Sequence, residues 1–275
     1  MSVCHLRGVM WSGLSVFQRI EVLDLEPFGR TLVLDSKMQS CELDEAVYHE
    51  ALVHPAMLAW SDNEEGKTTT TKTTPSSVFI GGGGEGATAR EVLRFKGVQK
   101  VKMVDIDGTC VQVCKKHLPK HHRGALDDPR LELVIDDAAR VLREDPSRYD
   151  VIIMDLADPI PGGPCWNLYM AEFYDMLRQR LNPGGVLVTQ TAGGGLNALE
   201  DVMTPVHNTM KHVFGHDAVV ESYVAPLLSF SDLYSFCIVQ TASGARPLSS
   251  RSAEEMENVR RTRLETWTES FFYDV

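Results

Sequence analysis

From residue 78 onward the chain alternates apolar strand-like runs with amphipathic helix-like runs, and no other feature restricts its fold as severely. "SVFIGG" reads as a strand and "ATAREVLRF" as a helix. "KVKMVDI", "LELVI", "YDVIIMDL" and "GGVLVTQT" read as further strands. Between them, "TCVQVCKKHL", "DAARVLRE" and "LYMAEFYDMLRQRL" carry helical spacing. Another helix is expected over 199–213, and two last strands near 217–224 and 234–240. Apolar strands joined by helices require both sheet faces to be covered. The expected fold class is therefore α/β, a doubly wound, mostly parallel sheet that binds ligands at the carboxyl ends of its strands.

The amino-terminal part follows another rule. Over 15–41, "SVFQRIEVLDL" and "TLVLDSKMQSC" read as short strands, with turns at "EPFGR" and Asp35-Ser36. A small β domain is expected over 1–42. The main domain then spans 43–240. It opens with a helix over 43–59 that contains Pro55, and it carries a polar, Thr-rich insertion over 61–77. Residues 241–275 read as a charged helical tail with a Ser252/Glu255 capping box.

Composition narrows the partners. Across 275 residues, 27 Lys and Arg stand against 38 Asp and Glu, a formal charge of -11. That balance argues against nucleic acid or an anionic membrane and is compatible with a cationic small molecule. The cysteines form no C-x-x-C pair, and the histidines form no H-E-x-x-H, so neither a disulfide framework nor a metal is expected. No apolar run is long enough for a signal peptide or a membrane span. A cytoplasmic setting is the expectation.

Four strands of the main domain end in candidate ligand groups. "FIGGGGEGATAR" is a Gly-rich strand-to-helix turn, where glycines let a ligand approach the backbone. Glu85 sits where a pyrophosphate would need neutrality, so the turn suits an amine better than a phosphate. "MVDID" ends the next strand, and Asp105 is placed to bond a ribose; Asp107 is the alternative, or a helix N-cap. In "VIDDAA", Asp137 is a candidate for the adenine amino group and Asp136 for a helix cap. "DLADPIPGGPCWNLY" puts Asp155 and Asp158 at the mouth of the following strand. The set describes an adenosine site without a phosphate cradle, next to paired acids fit for a cation.

With these motifs in register, the chain resembles the polyamine aminopropyltransferases. The resemblance rests on Gly82 to Gly86 with Ala89-Arg90-Glu91, on Asp105-Ile106-Asp107, and on Asp155-Leu156-Ala157-Asp158-Pro159. Phe17-Gln18, Gln39-Ser40, Asp44-Glu45 and Tyr48-His49-Glu50 resemble the family's amino-terminal motifs. Within the family it is most similar to the thermospermine synthases, through "GGGEG", the 155–169 run and "LLSFSDLYSF". Leu228 and Ser231 depart from that branch's Pro and Ala. The segment "MSVCHLRGVMWSG" is expected to shorten or replace the family's first strands, and the chain stops at "FFYDV", where relatives continue.

The resemblance implies a Rossmann-like domain of the S-adenosylmethionine-methyltransferase type after the β domain. It implies decarboxylated S-adenosylmethionine as aminopropyl donor and co-substrate, a polyamine acceptor, no cofactor, and a homodimer or homotetramer. Asp155 would be the base, with Tyr48 beside the attacking amine. Gln39, Gly82, Gly84, Glu85, Asp105, Ile106, Asp136, Asp137, Asp155 and Leu156 would hold the donor. Gln18, His49, Asp158, Trp166, Phe230 and Asp232 would meet the acceptor, together with Glu85 and Tyr48. Spermidine converted to thermospermine is the expected reaction. Spermine or spermidine synthesis, a class I methyltransferase and a non-catalytic polyamine-binding protein are the alternatives.

Overall fold

A computed structural model describes residues 4–61, 74–159, 162–163, 165–195 and 199–264. Most of the polar insertion, 62–73, and the end of the tail, 265–275, lie outside the described residues.

Four antiparallel strands come first: β1 (His5–Leu14), β2 (Arg19–Glu26), β3 (Gly29–Leu34) and β4 (Lys37–Cys41), in that spatial order. The residues ahead of Ser15 thus form a strand paired with β2. Asp35 and Ser36 both take positive φ, 46° and 67°, as a two-residue hairpin whose twist matches its strands requires. Alternation along β2 turns Ile20 and Val22 to one face, where they pack with Leu32 against Cys110, Val113, Cys114 and Leu118.

The larger sheet has seven strands. They are β5 (Ser77–Gly82), β6 (Lys100–Asp105), β7 (Leu131–Ile135), β8 (Tyr149–Asp155), β9 (Leu181–Gly193), β10 (Val219–Leu227) and β11 (Asp232–Gln240). Their order is β10-β11-β9-β8-β5-β6-β7. The five strands β5 to β9 run parallel, while β10 and β11 form an antiparallel hairpin on the β9 edge. The chain leaves β5 towards β6 and β7, then crosses back to lay β8 on the other side of β5. A crevice opens between diverging connections at such a reversal.

Helices cover both faces. Val78 and Ile80 point into the core built with α1 (Glu45–Ala59) and α2 (Ala87–Leu93), whereas Phe79 between them points into the opposite core. Beyond α3 (Gly108–His117) and the short α4 (Pro119–His122), that opposite core takes α5 (Ala138–Glu144), α6 (Ala171–Arg180) and α7 (Thr204–Phe214). The helix expected over 199–213 is a π turn at Leu199–Met203 running into α7. Pro55 lies inside α1, and the helix continues to Ala59.

The last helix, α8 (Ala253–Arg263), starts with the Ser252/Glu255 capping box. Its Arg263 guanidinium donates to the carbonyls of Met57, Leu58 and Trp60 at 2.9, 3.1 and 3.0 Å. Those carbonyls at the end of α1 have no partner within the helix, so a side chain from the far end of the chain satisfies them.

Phe79 is fully buried in a central strand. Phe79→Ala is expected to lower stability by about 3–5 kcal/mol, because the sheet and helices around it cannot collapse into the space. A lower urea midpoint at unchanged slope is the expected result.

Candidate active site

A cleft of about 930 Å³ opens at the carboxyl ends of β5, β6 and β8, with the small sheet as its other wall. Three strand ends converge there because the Gly turn permits it. Gly82 has φ of 83°, and a Cβ on it would stand 2.0 Å from the Asp155 carbonyl oxygen. The Gly83 amide donates to that same carbonyl at 3.2 Å. On Gly84, a Cβ would meet Asp105 Oδ2 at 2.7 Å. Only glycine gives both the positive φ and the close approach.

Asp155 ends β8 with both carboxylate oxygens engaged. Tyr48, from α1, donates its hydroxyl to Oδ1 at 2.8 Å, and Thr88, from the first turn of α2, donates to Oδ2 at 2.5 Å. Burial and then the charge of Glu85 raise the Asp155 pKa; His49, Thr88 and Tyr48 pull it down. Such a carboxylate accepts a proton more readily than an exposed one. Burial, followed by Asp155, keeps the Tyr48 phenol protonated well past its ordinary range.

Behind the cleft lies a charge relay of fixed geometry. His49 Nδ1 is 3.0 Å from Glu45 Oε2, and Nε2 is 3.2 Å from Glu85 Oε1. Burial alone would depress the imidazole, but the two carboxylates outweigh it and hold its pKa at about 10. Arg90 closes the far end with a two-point contact to Glu45, at 2.8 and 2.9 Å. Glu45 is kept at about 2, its burial overcome by His49 and Arg90. Glu85 is likewise lowered, against its burial, by His49. Single ligand-type atoms of His49, Glu85 and Asp155 lie within 4.8 Å of one another. All three are paired within the protein, His49 with Glu45 and Glu85, and Asp155 with Tyr48 and Thr88.

Asp105 reaches the cleft from the end of β6, its Oδ1 accepting from the Asp107 amide at 2.8 Å. Burial, and also Glu85, raise its pKa to about 6 although that amide opposes them. Asp107 is the N-cap of α3, accepting from the Thr109 and Cys110 amides, and its other oxygen accepts from Ser15 and Gln18. That joint ties the small sheet to the main domain.

Gln18, Gln39, Ile106, Asp137, Leu156, Asp158, Phe230 and Asp232 also line the cleft, from elements far apart in sequence. Asp137 does so while capping α5 through the Ala139 amide. Three expected residues do not line it. Asp136 is drawn off by its ion pair with Arg140, one helical turn on. His49 is 1% exposed and stands behind Glu85, with both ring nitrogens engaged, so its expected contact with an acceptor is replaced by contact with Glu85. Trp166 faces solvent on a 3-10 turn, 37% exposed, while its neighbours Cys165, Asn167 and Leu168 line the cleft. The sequence reading missed Thr88, whose place directly after the Gly turn was the available signal. It also missed Gln190 and Tyr234, which nothing in the local pattern marks.

Residues 45–246 match the spermine/spermidine synthase domain. The chain belongs to the spermine/spermidine synthase family. It is 44% identical over 248 residues to a polyamine aminopropyltransferase of Aeropyrum pernix, covering 90% of this chain and 74% of that one. A thermospermine synthase of Arabidopsis thaliana is 41% identical over 232 residues, covering 84% of this chain and 64% of its own length. The fold is similar to a spermidine synthase solved in complex with the transition-state analogue AdoDATO, with a TM-score of 0.76 at 29% identity. That match covers 90% of this chain and 78% of the other. The family's methyltransferase-like α/β fold with a preceding antiparallel sheet is therefore the fold of this chain. Among the described residues, no helix is long and apolar enough to cross a membrane.

His49→Gln removes the cation from between two buried carboxylates, and a loss of about 3–5 kcal/mol is expected. A histidine raised from 6.5 to about 10 stabilises fully below pH 6.5 and loses that contribution as pH rises through about 10. The stability gap between wild type and variant should thus narrow from pH 7 to 10 in urea titrations.

Proposed function

We propose that the protein transfers the aminopropyl group of decarboxylated S-adenosylmethionine to spermidine, forming thermospermine and releasing methylthioadenosine. The observation carrying this reading is the setting of Asp155. A carboxylate of raised pKa is held by Tyr48 and Thr88 at a strand end, next to the anionic Glu85 and with no phosphate cradle.

The donor is a sulfonium, so its aminopropyl carbon is already electrophilic, and the reaction needs no metal or other cofactor. The acceptor nitrogen uses its lone pair to form the new C–N bond. The C–S bond breaks with its electron pair left on sulfur, which becomes neutral. The extra proton on nitrogen passes to Asp155. Acceptor amines are mostly protonated near neutrality, since such groups have pKa values of about 10. Tyr48 and Asp155 would hold the amine in line as it sheds protons. Asp105 would accept from the ribose hydroxyls, Asp137 from the adenine amino group, and Glu85 would hold the donor's terminal ammonium. Asp158 and Asp232 would take the acceptor's remaining charges, with Phe230 along its methylene stems.

A ligand bearing its own carboxylate would be repelled by Glu85 and Asp155, which favours the decarboxylated donor over S-adenosylmethionine. The preference for thermospermine rests on the similarity to the plant enzyme and on the segment Ser229 to Asp232 at the cleft wall. A homodimer or homotetramer would cover the apolar side chains that β1 exposes, Leu6 and Val9 among them. A cytoplasmic location rests on the free state of the cysteines.

Asp155→Asn is expected to cut turnover by about 10²- to 10⁴-fold while leaving nucleoside affinity nearly intact. Single-turnover kinetics beside calorimetric titration with methylthioadenosine separates these effects, and near-normal turnover would remove Asp155 from the role. Incubation with decarboxylated S-adenosylmethionine and each polyamine, followed by chromatography of the tetraamines, tests the product. Thermospermine is expected; spermine alone, or a preference for putrescine, overturns the acceptor assignment.

A further inference from the structure

Tyr234 lies on β11 opposite Gly193 of β9, at an irregularity in their pairing. Its hydroxyl oxygen is 3.0 Å from Asp158 Oδ1 and 2.9 Å from Gln190 Oε1. The Gln190 amide cannot turn to help. Its nitrogen donates to the Leu156 carbonyl at 2.6 Å and to the Tyr169 hydroxyl at 2.8 Å, and its oxygen already accepts from the Ala192 amide at 2.6 Å. Three oxygens therefore converge on one shared phenolic proton; Gln190 Oε1 has the Ala192 amide besides, and the Asp158 carboxylate keeps accepting capacity towards the cleft. An alkylammonium carries donors only and would take up that capacity.

The ring has a second role. It meets Tyr48 edge-on at 5.4 Å and Phe230 at 5.1 Å between centroids. Tyr48 is the residue bound to Asp155, so Tyr234 touches the holders of both acids, Asp155 through Tyr48 and Asp158 directly. We infer that Tyr234 is a specificity-determining residue: its shared hydroxyl fixes where a cationic nitrogen of the acceptor sits relative to Asp155. This rests on the aminopropyl-transfer reading of the same cleft. The two ends of spermidine differ by one methylene, a difference a pocket distinguishes by about 10- to 200-fold at most. A rigid anchor at the second nitrogen is a way to approach that limit. Burial, then Asp158, keeps the Tyr234 phenol protonated, so the bridge persists across the working range.

Tyr234→Phe keeps the ring and removes the bridge. Spermidine affinity, measured by calorimetry with methylthioadenosine present, is expected to fall about tenfold or more. With the KM for spermidine rising in parallel, kcat should stay within about threefold, because the chemistry at Asp155 is untouched. The minor tetraamine isomer should form a larger share of the product. Unchanged spermidine affinity and an unchanged isomer ratio overturn the inference. So does an equal loss of affinity for methylthioadenosine alone, which would mark the residue as structural. A wild type that binds spermidine but makes no tetraamine would overturn the catalytic reading instead, and the binding comparison would still decide the role of Tyr234.

Discussion

The imidazolium of His49, clamped between Glu45 and Glu85, is the interaction on which the arrangement of the cleft depends. Glu85, Asp105 and Asp155 all face one partly buried space, and each raises the cost of ionising the others. Without a nearby cation, such a group would take up protons rather than stay charged. His49 supplies that cation from behind, out of contact with solvent, and Arg90 anchors the opposite end through Glu45. Glu85 thereby stays anionic, while Asp155 keeps a raised proton affinity. One acid is held ionised and the other is left with a raised proton affinity, by environment alone.

The same cleft depends on backbone geometry that no side chain can imitate. The amide of Gly83 reaches the carbonyl of Asp155, so the first turn after β5 is fastened to the end of β8. This contact spans the reversal in strand order and sets the separation between Glu85 and Asp155. Thr88, in the first turn of α2, then grips the second oxygen of Asp155. The wall formed by the small sheet is joined on through Asp107, which accepts from Ser15 and Gln18 while capping α3. The Gly turn, the small sheet and Asp155 are thus locked together by short polar contacts at strand and helix ends, where backbone groups lack regular partners.

Much of the fold was legible because period-2 and period-3.6 patterns are local. Val78, Phe79 and Ile80 could be assigned to a doubly covered strand from their types alone, and Gly82 to Gly86 to a turn. The antiparallel pairing of β10 and β11 was not legible, since apolar alternation does not encode strand direction. Within the β domain expected over 1–42, the single long strand formed by "HLRGVMWSGL" was not assigned. Its alternation is weak and most of its side chains face solvent, so its pairing with β2 supplies the order.

For the site, the sequence by itself determined which acids end the strands: Glu85, Asp105, Asp137 and Asp155 follow apolar runs, and the sheet topology brings strand ends together. It also determined the glycines, because positive φ and close approach leave one residue type. Only the tertiary structure decided which acid faces the cleft and what each one contacts. Asp136 turned to Arg140 because a helical neighbour was one turn away, while Asp137 took both the cap and the cleft. His49 left the cleft for Glu45 and Glu85, and Tyr234 joined Asp158 to Gln190 across separations of 76 and 44 residues. Such contacts depend on distances of a few ångströms between segments remote in the chain. A linear pattern carries element types and faces, whereas the partner of a buried polar group is chosen by what packing leaves within hydrogen-bond reach.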